Sequence, residues 1–136
     1  MDRIRTYIAL IVVTFAQLAP AAAMPFSPSQ RIELFATCAG LYSALADHQR
    51  LFDGEASEET MQIAQGFTTL IDAVMPDAKD YGMPGKQALA WQVQAKMNQV
   101  VLLNEATLHT DERRSERARL AAEANLMRCE GLILSS

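Results

Sequence analysis

Residues 86–134 read KQALAWQVQAKMNQVVLLNEATLHTDERRSERARLAAEANLMRCEGLIL. This is either one long helix or two helices that reverse on each other, and the architecture of the chain turns on which. The composition is strongly helical, rich in Ala, Leu, Arg and Glu. No Gly or Pro marks a break near residue 109; only Thr110 and Asp111 offer caps. The two cysteines, Cys38 and Cys129, arbitrate. An unbroken helix from Lys86 to Ile133 would carry Cys129 about 43 residues, or ~65 Å, above its start, while Cys38 lies about ten residues, or ~15 Å, above the start of the first helix. Bridged Cα atoms lie within about 7 Å, so the two could not meet within one molecule. A reversal at 109–111 brings the last helix down beside the first and lets them pair. An intramolecular Cys38–Cys129 disulfide therefore goes with an all-α fold, a small antiparallel bundle of four helices.

The first helix begins at Ser27, an N-cap with Pro28 at the first helical position and Gln30 three residues on, the spacing of a capping box. Apolar residues follow at intervals of three and four: Phe35, Cys38, Tyr42 and Leu45, with Phe52 beyond. Gly54 after Asp53 reads as its stop. Ser57, with Glu58 and Glu59, reads as the start of a second helix whose stripe is Ile63, Ala64, Phe67, Leu70, Ile71 and Val74. Pro76 is expected to end it, leaving 76–85 as a loop with two prolines and two glycines. The third helix is expected over Lys86–Leu108 and the fourth over Asp111–Leu134, the latter with an inward stripe of Ala118, Ala122, Asn125, Cys129 and Leu132.

Upstream of Ser27, Arg3 and Arg5 precede the mostly apolar run Tyr7–Leu18, and Pro20 with Ala21, Ala22 and Ala23 follows. A basic start, a short apolar middle and an A-x-A ending form a secretory signal peptide over residues 1–23, with cleavage before Met24. Twelve apolar residues span ~18 Å as a helix against ~30 Å of hydrocarbon, too short for a stable membrane anchor. The remaining residues, 24–136, are read as one domain. Loss of Arg3, Arg5 and Asp2 leaves a net charge of about −5, without a basic stripe. Nucleic-acid partners are not expected of such a chain, because phosphate neutralisation supplies most of that affinity. The expected localisation is exported, periplasmic or secreted, where paired cysteines oxidise.

No residue constellation reaches a catalytic signature, so enzyme activity is not expected. His48 and His109 are the two histidines, and neither has a partner at a metal-ligand spacing. Methionines at 24, 61, 75, 83, 97 and 127 are scattered, without an M-x-x-M pair, and read as core filling rather than copper ligands. Haem attachment would need C-x-x-C-H and a di-iron site Glu-x-x-His; neither occurs, and no cofactor is expected. The charged run Asp111–Arg119 reads as a solvated helix face held by ion pairs.

The third helix carries two apolar stripes. Leu89, Ala90, Val93, Met97, Val100, Val101, Asn104 and Leu108 form the one expected to face the core. Ala88, Trp91, Ala95 and Leu102 fall on the opposite side at 100° per residue. A helix apolar on both sides is either central or covered by something else. The 76–85 loop, with Tyr81, Met83 and Pro84, is one candidate cover for the second stripe. The other is a protein partner or a second copy, with Trp91, Ala95 and Leu102 as the contact surface and Trp91 its anchor. The functional expectation is an exported helical protein acting through protein contacts, as an accessory, sensor or inhibitor-like module. The alternative is a small-ligand or metal carrier with a pocket inside the bundle.

Overall fold

The capping box at Ser27 starts α1 (Pro28–Gln49). The Ser27 hydroxyl accepts from Gln30 N at 3.3 Å, and the Gln30 side chain accepts from Ser27 N at 2.9 Å. Two donors that a first turn leaves unpaired are thereby satisfied. A computed structural model describes residues 27–133; the leader assigned to residues 1–23 lies outside the described residues. Three further helices follow: α2 (Gly54–Asp80), α3 (Gln87–Leu108) and α4 (Glu112–Ile133). The described residues contain no strand.

The four helices form an up-down bundle centred on α1. That helix packs along much of its length on both α2 and α3, and narrowly on α4; α4 lies on α3, and α2 makes no substantial contact with either. Burial on α1 accordingly runs around the helix: Ile32, Ala36 and Ala39 on one side, Cys38 and Tyr42 on another, Leu41 and Ala44 on a third. On the α2 side, Phe67 stacks on Tyr42 with ring centroids 5.9 Å apart and lies 6.4 Å from Phe35. On the α3 side the contact is made by small residues. A Cβ added at Gly40 would collide with the carbonyl oxygen of Gln92 and come within 2.9 Å of Lys96 N and 3.0 Å of Ala95 Cβ. The α1 and α3 backbones thus approach more closely than any side chain at Gly40 would permit.

This close approach reverses the expected orientation of α3. The helix turns Ala88, Ala95 and Gln99 inward, with Trp91 packed against the core and Leu102 half-buried. Leu89, Val93, Met97, Val101 and Leu108, expected in the core, are exposed. The choice was made by α1, whose alanines and Gly40 accept an alanine face and have no depth for leucine or methionine.

Three helix boundaries also differ from expectation. Gly54 opens α2 instead of closing α1, because Asp53 is the N-cap and its Oδ1 accepts from Ala56 N at 3.1 Å. Ser57 is buried, and its hydroxyl donates to Ala46 O at 2.8 Å, tying the first turn of α2 to the last turn of α1. Pro76 lies inside α2, which runs one further turn to Asp80. Pro76, Asp72 and Ala73 are all exposed, so water can serve the backbone group that the missing N–H leaves unpaired. A Schellman closure holds that last turn: Gly82 N donates to Lys79 O at 2.9 Å and Met83 N to Ala78 O at 2.9 Å, with Gly82 at φ +88° and Met83 and Ala78 both in the core.

The reversal after α3 occurs where the sequence places it. His109 caps α3 in an extended conformation, and its Nδ1 accepts from Asp111 N at 3.0 Å. Asp111 Oδ1 accepts from Arg114 N at 3.1 Å, opening α4. Ser115 Oγ donates to Ala106 O, and Arg114 pairs with Glu105, both at 2.6 Å across the turn. Cys38 and Cys129 form the expected disulfide with Cα atoms 5.7 Å apart, joining α4 to α1. Ala118, Ala122 and Cys129 are buried on the inner face of α4, as the spacing predicts.

Candidate functional site

The inner seam between α3 and α4 is polar at its centre. Gln99 is completely buried. Its Nε2 donates to Ala122 O at 3.0 Å, and its Oε1 accepts from Asn125 Nδ2 at 3.1 Å. Asn125 Oδ1 in turn accepts from Arg128 at 2.6 Å. A buried amide that satisfies both its ends in this way fixes one register of α4 against α3, since sliding either helix would leave it unpaired. The chain of contacts is structural: it carries no strong acid, base or nucleophile.

Of the residues singled out from the sequence as a contact surface, Ala95 is buried and Trp91 and Leu102 are half-buried. Ala95 is buried against Gly40. Trp91 is half-buried and shares a cleft of about 350 Å³ with Glu33 and Thr37 of α1. α1 is therefore one cover for them, and of the 76–85 segment Tyr81 stands away at 80% exposed while Met83 is buried in the core. The open surface is the other side of the helix. Leu89, Val93, Met97 and Val101 recur every four residues, so they form one ridge inclined to the axis of α3, and each is at least half exposed, Leu89 at 63% and Met97 at 60%. Leu108 extends the same side to the helix end, and Ala90, Gln94, Asn98 and Asn104 flank it.

The ridge carries no charge. In all of α3 only Lys96 and Glu105 are charged, and both are engaged at its flanks, Lys96 with Asp47 at 2.6 Å and Glu105 with Arg114 at 2.6 Å. The charges of α4 behave differently. Arg119 binds Glu116 and Glu123, each at 2.6 Å, and the Arg119 hydrogen bond holds the Glu116 carboxyl below its ordinary range. All three side chains are about half exposed, and such pairs contribute little to stability. The apolar members of the outer α4 face, Leu120 and Met127, stand among these charges as single exposed residues.

A second feature is an open cleft of about 370 Å³ between α1 and α4, with the disulfide in its lining. Leu34 and Leu41 supply apolar wall, and Glu33 and Arg128 supply opposite charges. The histidines serve the scaffold. His48 Nε2 lies 2.9 Å from Thr107 Oγ1, joining the ends of α1 and α3, and His109 closes the turn described above. Among the described residues no group of three His, Cys, Asp or Glu side chains is placed to hold a metal ion, and no helix is long and apolar enough to cross a membrane.

No protein-family model matches the chain, and no curated protein or solved structure matches it either.

Proposed function

We propose that this protein is an exported, disulfide-stapled helical module that acts by docking another protein surface onto the outer ridge of α3. One observation carries the reading: a 22-residue helix presents a continuous apolar ridge without a charged side chain on it. Scattered exposed apolar residues are ordinary on a folded protein, but an ordered row that would gain by leaving water is a feature of contact surfaces. The ridge stands on a rigid base, because Gly40 and Ala95 lock the opposite face of the same helix to α1. Export is supported by the leader-like pattern of residues 1–23 and by a disulfide of the kind that persists in oxidising compartments.

A photo-reactive amino acid at position 97 tests the docking surface in the producing cells. A covalent protein adduct is expected from position 97 and not from position 65 or 69, on the exposed side of α2. Absence of any adduct from positions 93, 97 and 101 would overturn the reading. A carrier role would draw on the cleft beside the disulfide, whose apolar wall and opposite charges suit a small amphipathic ligand. That reading expects a non-protein mass retained with the protein in native mass spectrometry.

A further inference from the structure

We infer that the cleft between α1 and α4 binds a small zwitterion, an apolar amino acid or dipeptide held by its ammonium at Glu33 and by its carboxylate at Arg128; this rests on the carrier reading above and is independent of the α3 ridge. The first argument is charge. Glu33 of α1 and Arg128 of α4 both line the cleft, and both are exposed. Among the described residues the ion pairs are made by other side chains, and neither of these two belongs to one. Opposite charges that flank one opening without closing on each other suit a molecule that carries both.

The second argument is positioning. A surface arginine ordinarily has much rotamer freedom to lose on binding. Arg128 is held: its guanidinium donates to Asn125 Oδ1 at 2.6 Å, Asn125 Nδ2 donates to Gln99 Oε1 at 3.1 Å, and Gln99 is completely buried. The hydrogen-bond chain that fixes the register of α4 thus also keeps the Arg128 head in place, which lowers the entropy that a ligand's carboxylate must overcome. A guanidinium has five N–H donors, so this one bond leaves others for the ligand.

The third argument is the shape of the wall. Leu34, Cys38 and Leu41 lie at intervals of four and three along α1 and form one apolar stripe in the cleft, with the disulfide in it. The volume of about 370 Å³ lies at the low end of small-molecule sites, about 300–1,000 Å³. An apolar side chain of leucine size can rest on that stripe while the two charged ends of the same molecule reach the two charged residues.

The test is an NMR titration of the disulfide-bonded protein, isotope-labelled and purified from its producing cells, with leucyl-leucine as the probe. A dissociation constant on the order of 0.1–1 mM is expected, with the largest amide shifts between residues 30 and 41 and between 125 and 129. Glu33→Gln and Arg128→Gln should each weaken binding by about tenfold and leave the thermal melt unchanged. Acetylating the probe's ammonium should weaken binding to the wild type by a similar factor and cost little more in Glu33→Gln, and amidating its carboxylate should stand in the same relation to Arg128→Gln. Glu58→Gln, on α2, should bind as the wild type does. No binding up to about 10 mM, shifts centred elsewhere, or an affinity indifferent to Glu33→Gln or Arg128→Gln would overturn the proposal. Native mass spectrometry separates the two levels of failure: a retained ligand that lacks either charge would overturn the zwitterion and leave the carrier reading standing, whereas no retained mass and no binding of leucyl-leucine would remove both.

Discussion

Replacing Gly40 by alanine sets two effects of opposite sign against each other. Gly40 lies inside α1, where alanine is intrinsically favoured by roughly 0.5–1 kcal/mol. Opposing this, the new Cβ would collide with Gln92 O and stand 2.9 Å from Lys96 N, where ordinary contact begins at 3.4 Å. These obstacles are backbone atoms of a packed helix and cannot rotate away. Relief requires α3 to move outward by about 1 Å, a gap that forfeits a quarter to a half of the dispersion energy of each contact it opens. Overpacking of this kind costs about 1–3 kcal/mol, and a backbone obstacle places Gly40→Ala at or slightly above the upper end. The net expectation is a loss of roughly 2–3 kcal/mol, or a midpoint lower by about 10–15 °C. Circular dichroism melts with the disulfide intact measure it. Gly66→Ala is the control: that glycine is also helical, but nothing lies within 4 Å of its added Cβ, so it should gain roughly 0.5–1 kcal/mol. A Gly40→Ala protein that melts at or above the wild type would refute the close approach of α1 and α3, and with it the assignment of the Leu89–Val101 ridge to the surface.

Four further outcomes are expected. Reducing the Cys38–Cys129 bond should lower stability by up to roughly 4–5 kcal/mol, given the 91-residue separation; hydrogen exchange should rise first in the last turns of α4, around the position that the bridge ties to α1, and equal protection along α4 would contradict that. Gln99→Ala should cost about 2–4 kcal/mol in denaturant melts, through a cavity and the loss of a buried amide's partners, and a neutral result would dissolve the register argument. Burial, and after it the charge of Glu130, raises the Tyr42 pKa above its ordinary 10.0. Above that pH the unfolded chain ionises before the folded one, so Tyr42 contributes stability that is full below pH ~10 and is lost as pH rises toward the folded value. Tyr42→Phe should reduce this alkaline loss, and melts between pH 9 and 11 decide it. Intact mass of the exported protein should start at or near Met24, and retention of residues 1–23 in exported material would remove the cleavage argument.

Much of the fold was legible in the sequence because its decisive constraints are covalent or local. Two cysteines 91 positions apart can meet only if the chain reverses after α3, and that geometric necessity located a turn that carries no glycine or proline. Ser27, Pro28 and Gln30 act over four residues, so their capping box could be read directly. The boundaries of α2 were harder because each depends on tertiary context. Ser57 has the chemistry of an N-cap, but Ala46 O offers its hydroxyl a buried partner, and Asp53 takes the cap. Pro76 ends an isolated helix more readily than one whose next turn is anchored by Ala78 and Met83 in the core.

The candidate site was visible as a problem and misread as to side. Two apolar stripes on α3 implied that the helix is either central or covered on its second side by the 76–85 loop or a partner, and hydrophobicity favoured burying the stripe of leucine, valine and methionine. Burial rewards contact as well as transfer from water, and contact depends on what faces the helix. The segment ATCAGLYSALA in α1 supplied the missing information: with Gly40 and Ala44 on the side toward α3, the helix presents a shallow surface there. A facing helix can approach it closely only with small residues of its own, at 88 and 95. The large side chains of α3 were then left to the outside by exclusion. That ordering makes the ridge a consequence of how the core is built, so a change at Gly40 and a change at Met97 should separate cleanly. The first should lower stability and disturb docking only as far as α3 moves, whereas the second should disturb docking and leave stability where it was.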